Sequence, residues 1–217
     1  MALSAAHRAR SWRDWVGLDA GPAGLVAEHV LRNDVVDFVR FRAASRAWRA
    51  CSTHLRAQGV LDRRFHPRRW IMLPETFNVG DRRRLFNVFT GKSVHKALPV
   101  QEPRRCRYLV TATSEGLVLL LGNHDGQLLN PLTGQATRLP GAASLLDIAG
   151  TLSGLELRGT GLADDDTVVL QFRSFCLAVA KPGDERWTRV YSRDRIMSVL
   201  PFAGRVYCAT SRNTSRW

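Results

Sequence analysis

The sequence is poor in lysine, with 3 Lys against 29 Arg in 217 residues. A nucleic-acid-binding tail does not require that skew, which fits a GC-rich coding sequence instead. Cysteine is sparse as well: four residues (Cys51, Cys106, Cys176 and Cys208) lie far apart, with no CxxC pair and no His at ligand spacing. Zinc ribbons and dithiol redox motifs are therefore excluded. A chain of this size does not need disulfides, so a reducing compartment, cytoplasm or nucleus, is expected. Long apolar runs are also missing. The longest strongly apolar one, Leu117 to Leu121, is far below the roughly 20 residues that cross a bilayer as a helix. Residues 1–20 hold no apolar stretch of the kind a secretory leader carries. The acid-free opening MALSAAHRAR is not expected to act as an organelle signal.

Catalytic motifs are absent too. No nucleophile motif marks a Ser or Cys for acyl transfer. Gly122-Asn123-His124-Asp125 copies a fragment of a metallophosphatase signature but lacks the Asp-x-His and Gly-Asp-x-x-Asp that would complete it, so it reads as a hairpin turn. Gly91-Lys92-Ser93 ends like a phosphate loop, yet the earlier Gly falls at Phe86 and no helix follows. Asp164-Asp165-Asp166 lacks the alternating spacing of a calcium loop and reads as solvated. No enzyme activity, catalytic residue, metal ligand or cofactor is expected.

What is present is an ordinary globular balance, 45% apolar and 24% charged, enough for one or two domains. The net charge is +13, and its distribution is uneven. Residues 1–107 hold 21 basic and 9 acidic side chains, whereas residues 108–217 hold 11 and 10. The excess favours an acidic partner, whether protein or polyanion. Arg42, Arg46, Arg49 and Arg56 read as one basic helix face, and Arg82–Arg84 as a further cluster; a solvated face is the expectation for both.

Two textures divide the chain. Residues 12–58 read as three short helices, with Leu25, Val26, Val30 and Leu31 at helical spacing. Asn33-Asp34 interrupts the run and is placed to cap a second helix carrying Val35, Val36 and Phe38. From residue 65 the apolar runs become short and β-rich, separated by turn clusters. This half also repeats. Asn87, Thr90 and Gly91 recur as Asn130, Thr133 and Gly134, each 43 residues later, and Leu-Pro closes both copies. A 40–50-residue period of strands and turns is the signature of a propeller blade. Asn and Thr can bond the turn backbone while Gly accepts positive φ. Looser copies run through Phe175–Trp187, with Gly183 in the turn, and from Ile196.

The segment from Trp15-Val16-Gly17-Leu18 through Leu25–Leu31 and Asp34–Ala43 to Ser45-Arg46-Ala47-Trp48-Arg49 resembles an F-box. Residues 69–74 (RWIMLP), the repeated TG turn and NPLTGQ…LP resemble the plant, grass-type F-box-associated propeller family of unknown function. The resemblance departs at Leu18-Asp19, where the family has Leu-Pro, and at Ser45, where Cys is common.

It implies an α+β multidomain chain: a flexible N-terminus (1–11), an F-box (12–58), a linker (59–68) and an all-β, kelch-like partial β-propeller (69–217). At the 43-residue period the region after the F-box holds three to four blades, whereas closed propellers use about 4–8. An incomplete propeller with an open edge and poor solubility is therefore expected. The resemblance further implies that Leu18, Leu25, Val26, Val30, Leu31, Val35, Val36, Phe38, Arg46 and Trp48 bind a Skp-type linker and through it a cullin. Some of these residues must also serve the small helical core, Trp48 first among them. The function so implied is substrate recognition for a ubiquitin ligase, with the propeller presenting an unknown target protein; neither nucleic acid nor a membrane is the expected partner. Two other readings stand beside it: a basic RNA- or polyanion-binding propeller protein with a vestigial F-box, and a non-functional truncated fragment.

Overall fold

The computed structural model describes residues 20–55, 59–73, 82–98, 109–145, 156–172, 176–190, 194–211 and 214–216. It divides into two compact units, Met1–His54 and Leu55–Trp217.

In the first unit, α1 (Ala20–Asn33) carries Pro22 in its opening turn, where a missing N–H costs nothing. Ala23, Ala27 and Leu31, spaced four apart, form its buried stripe. Asp34 stops the helix in an extended conformation and starts the next one. Its Oδ1 accepts from Val36 N at 2.7 Å and Asp37 N at 3.3 Å, capping α2 (Val35–Ala44). Val35, Phe38 and Arg42 are the buried face of α2. Ser45, again extended, ends α2 and caps α3 (Arg46–Ala50) through Ala47 N at 3.2 Å. The Ser that replaces the family's Cys is thus the helix cap. The same break corrects the single basic helix face: Arg42 lies on one helix and Arg46 and Arg49 on another, and Arg42 is buried.

The second unit is mostly β. Four antiparallel sheets follow one another, each a meander in chain order. The first is β1 (Trp70–Met72), β2 (Arg82–Asn87) and β3 (Ser93–Ala97). The second is β4 (Leu109–Ala112), β5 (Val118–Leu121), β6 (Asp125–Leu129) and β7 (Ala136–Pro140). The third is β8 (Leu157–Leu162), β9 (Val168–Phe172), β10 (Leu177–Ala180) and β11 (Thr188–Val190). The fourth is β12 (Ile196–Phe202), β13 (Arg205–Thr210) and β14 (Thr214–Arg216).

The period-2 alternation of a strand decides which neighbour each residue meets. On one face of the second sheet, Val118, Leu120 and Leu129 pack with Leu98 and Met72 of the first sheet's region. On the other, Leu117, Leu119, Leu121, Leu128 and Leu139 pack with Val168, Leu170, Phe172, Ala178 and Trp187 of the third. Val169 and Leu177 then turn to Ile196, Val206 and Cys208 of the fourth. Burial on both faces is why β5 is an unbroken apolar run and β9 is apolar except for Gln171.

Hydrogen bonds cross the sheet boundaries as well. Thr160 Oγ1 donates to Ala112 O at 3.1 Å, Gln171 Nε2 to Ile196 O at 3.0 Å and Trp187 Nε1 to Pro140 O at 2.9 Å. Gly161 lets the fourth sheet approach, since a Cβ there would lie 3.2 Å from Val206.

Residues 59–68, expected as a linker, are instead built into this unit. Val60 joins the core between the second and third sheets, and Phe65 is buried above a short 3-10 turn at Arg63–Phe65. Asn130 Nδ2 donates to Phe65 O at 2.7 Å, and Pro67 O lies where a Cβ on Gly116 would be. Two buried apolar side chains and a buried amide fix the segment, which charge alone gave no reason to expect.

Candidate functional site

The ten residues that the F-box resemblance singles out do not share one surface. Leu18 lies outside the described residues. Leu31, Val35 and Phe38 are core, at most 4% exposed. Val30 and Val36 are half-buried. Leu25 and Val26 stand in solvent, 76% and 45% exposed, on the side of α1 away from its alanine stripe. Arg46 is exposed at the start of α3. Trp48 stacks on Phe41 with ring centroids 4.7 Å apart, partly covered. These positions are spread over three helices with different inward faces, so the grouping mixes core with surface.

Sequence reasoning missed the residue that ties the helices together. Arg42 Nη1 donates to Arg49 O (3.1 Å), Ser52 O (3.0 Å), Ser52 Oγ (2.6 Å) and Thr53 O (2.8 Å). Arg49 Nε returns a bond to Arg42 O at 3.1 Å. The guanidinium thereby satisfies carbonyls at the end of α3, which have no helical partner and a negative dipole end. Burial, then the Arg49 charge, holds its pKa below the usual arginine value. The available signal was its position seven residues after Val35 and four after Phe38, on the core face.

The repeated turns are built alike. Asn87 Oδ1 accepts from Phe89 N at 2.9 Å and Thr90 N at 3.0 Å; Asn130 Oδ1 accepts from Leu132 N at 3.0 Å and Thr133 N at 3.2 Å. Gly91 N and Gly134 N each return to the Asn carbonyl at 2.9 Å, with φ of 70° and 75°. Thr90 Oγ1 and Thr133 Oγ1 each accept the N–H two residues on, at 3.4 Å. Both Asn side chains are fully buried. These positions are structural: they hold the hairpins between β2 and β3 and between β6 and β7. Gly183, at φ 96°, occupies the turn between β10 and β11.

The other motifs behave as turns and local pairs. Gly122–His124 joins β5 to β6, and Gly91-Lys92 leads into β3. Asp164 pairs with Arg63, and Asp165 with Lys181 at 2.9 Å. The Lys181 hydrogen bond draws the Asp165 carboxyl down to about 2. Arg69 lies over the Phe89 ring at 4.9 Å. Among the described residues, no three His, Cys, Asp or Glu side chains gather as a metal site, and no helix is long and apolar enough to cross a membrane.

Serial three- and four-stranded meanders, two of them carrying matched Asn-x-x-Thr-Gly turns, agree with comparison to known proteins: the KIB1-4 beta-propeller family matches residues 85–216. The chain belongs to this family. The match starts within β2 and runs through β14, so this KIB1-4 propeller region takes in strands of all four sheets. No curated protein matches the chain. Among solved structures, it is similar to the extracellular domain of the one-component system BT4673 from B. thetaiotaomicron (12% identity, TM-score 0.39, 68% of this chain and 18% of that one). A second is the extracellular domain of the hybrid two-component system BT3049 from the same organism (11% identity, TM-score 0.39, 69% and 20%). The chain thus spans about a fifth of the length of those structures.

Proposed function

We propose that the chain is a non-catalytic substrate receptor of a Skp–cullin–F-box ubiquitin ligase of plant, grass type. The helices dock on a Skp-type linker, and the KIB1-4 propeller holds a target protein. The receptor works by proximity, raising the effective concentration of target lysines at the ubiquitin carrier. Membership of a propeller family, the F-box-like order Leu25–Leu31, Asp34–Ala43 and Ser45–Arg49, and a separate helical unit support this reading. The observation that carries it is the exposure of Leu25 and Val26 on a unit whose own core is already filled by Ala23, Ala27, Leu31, Val35 and Phe38. An uncovered apolar pair beside a finished core is the form of an interface anchor.

The test is co-purification of the full chain with a plant Skp-type protein. Leu25→Asp and Val26→Asp should each weaken capture at least tenfold while leaving the circular dichroism spectrum unchanged. Phe38→Ala, a core change, should disturb both. Failure of the wild type to bind sinks the receptor reading; full binding by both aspartate variants moves the interface elsewhere.

One feature favours a polyanion-binding reading in second place. Arg82 and Arg84 are exposed on β2, and Arg84 sits opposite exposed His95 on β3. Salt-sensitive RNA retention lost in the Arg82→Ala/Arg84→Ala double variant but kept in Leu25→Asp would support it.

A further inference from the structure

Three first-to-second-strand turns of the propeller unit, β4–β5, β8–β9 and β12–β13, converge on a cavity of about 480 Å³. Arg63, His66 and Arg68 from the segment before β1 wall it, with Glu115, Asp164 and Phe202 from the three turns. The size suits a small molecule.

Its polar groups are left in an unusual state. His66 is 5% exposed, and its Nε2 faces Val60 O at 3.2 Å. A carbonyl can only accept, so Nε2 carries the proton. Burial, opposed by that carbonyl, holds the imidazole pKa below its ordinary value, with Arg68 and Arg63 adding to the depression and Glu115 acting against it. The ring is therefore neutral near pH 7, and Nδ1 is a bare lone pair. That atom is buried without a hydrogen-bond partner, and so is Glu115 Oε2. Thr113 Oγ1, two residues earlier in the chain, is a third. A buried acceptor left unmatched is costly, most of all a charged one. His66 and Glu115 both line the cavity, with these two acceptors buried just beneath its surface, and they call for a ligand that brings N–H donors.

The charges refine the class. The Asp164 carboxylate neutralises Arg63, leaving Glu115 as the unpaired inner charge. Arg68 is exposed on the lining and is available to an anion. Phe202, Pro201 and Leu162 add an apolar wall for a short aliphatic stem.

We propose that this cavity binds a small zwitterion of the basic amino-acid class, its ammonium or guanidinium against Glu115 Oε2 and His66 Nδ1 and its carboxylate against Arg68. The site is independent of the helical unit and of any ligase role.

The experiment is calorimetric titration of the full chain at pH 7.5 with L-arginine, L-lysine and agmatine, the last having no carboxylate. Saturable one-to-one binding of at least one amino acid is expected, with agmatine weaker than L-arginine. Glu115→Gln, which keeps the shape and removes the charge, should weaken amino-acid binding at least tenfold. Arg68→Ala should weaken L-arginine and leave agmatine unchanged. Melting curves of both variants establish that they are folded. Absence of saturable binding by both amino acids, or affinity unchanged in folded Glu115→Gln, overturns the proposal and assigns the buried acceptors to water.

Discussion

The two units hide apolar surface in different ways. In the helical unit each helix has one inward stripe, and Leu25 and Val26 stand outside it. In the sheet unit the middle strands have no outward face: every residue of β5 and of β9 is buried. The same rule explains the last sheet, where β12 keeps Ile196 against the third sheet while Met197, Leu200 and Phe202 are 52%, 63% and 67% exposed. Apolar content is similar along these strands, so burial follows from which faces have a neighbouring sheet. An apolar residue in this chain is therefore structural or available according to its element's sidedness, and substitutions can measure that directly.

The sharpest contrast pairs Phe172 with Leu25. Phe172 is fully buried between the second and third sheets. Truncating Phe172→Ala should cost about 3–5 kcal/mol and lower the melting temperature by roughly 10 °C. Leu25→Ala, at 76% exposure, should change stability by no more than about 0.5 kcal/mol. Equal losses would break the comparison.

A second test lies in the two matched turns. Asn130→Ala removes two turn bonds and the bond to Phe65 O, and Asn87→Ala breaks the equivalent two turn bonds. Each should cost about 2–3 kcal/mol, read from denaturant midpoints at constant slope. Arg42→Met should cost the helical unit about 2 kcal/mol, because four acceptor contacts lose a charged donor while the aliphatic stem is kept. A circular dichroism melt followed at the helical band checks it. Smaller still are Gly91→Ala and Gly134→Ala. Both glycines sit at positive φ with open space where a Cβ would go, so about 1 kcal/mol of backbone strain is the whole effect.

These residues also show what the sequence could reveal. Local chemistry was legible: Asp34 as a cap, Gly91 and Gly134 at positive φ, and the Asn and Thr bonds of the turns all follow from a few adjacent residues. The strands were legible because two-sided burial writes unbroken runs such as Leu117–Leu121. Long-range pairings were not. Nothing near Arg42 announces that Ser52 and Thr53 will return to it, and the basic run Arg63–Arg69 conceals Phe65 and His66, which are buried by turns some 50 residues away in the chain. The F-box positions divide between core and surface for a related reason: periodicity tells which residues share a helix face, not which face a neighbouring helix will cover.

His66 offers the finest test of the sheet unit against the helical one, because it is a buried titratable group. Its folded pKa lies below the unfolded value near 6.5, chiefly because burial disfavours the charged ring. The sign then follows. Above the unfolded pKa neither state holds the proton and the neutral ring's contribution is fully present. As pH falls below about 6.5 the unfolded chain takes up a proton that the folded chain refuses, so stability drops until the pH passes the folded pKa. The slope is at most about 1.4 kcal/mol per pH unit, the limit for one proton. Denaturant unfolding at pH 7.5, 6.5 and 5.5 should show this loss in the wild type and a flatter profile in His66→Gln, which can still donate to Val60 O but cannot titrate. Arg63, Arg68 and Glu115 face the ring, so their charges must be intact in both proteins for the difference to isolate His66. Parallel profiles for the two would mean that His66 is protonated alike in the folded and unfolded chain and that burial does not depress its pKa.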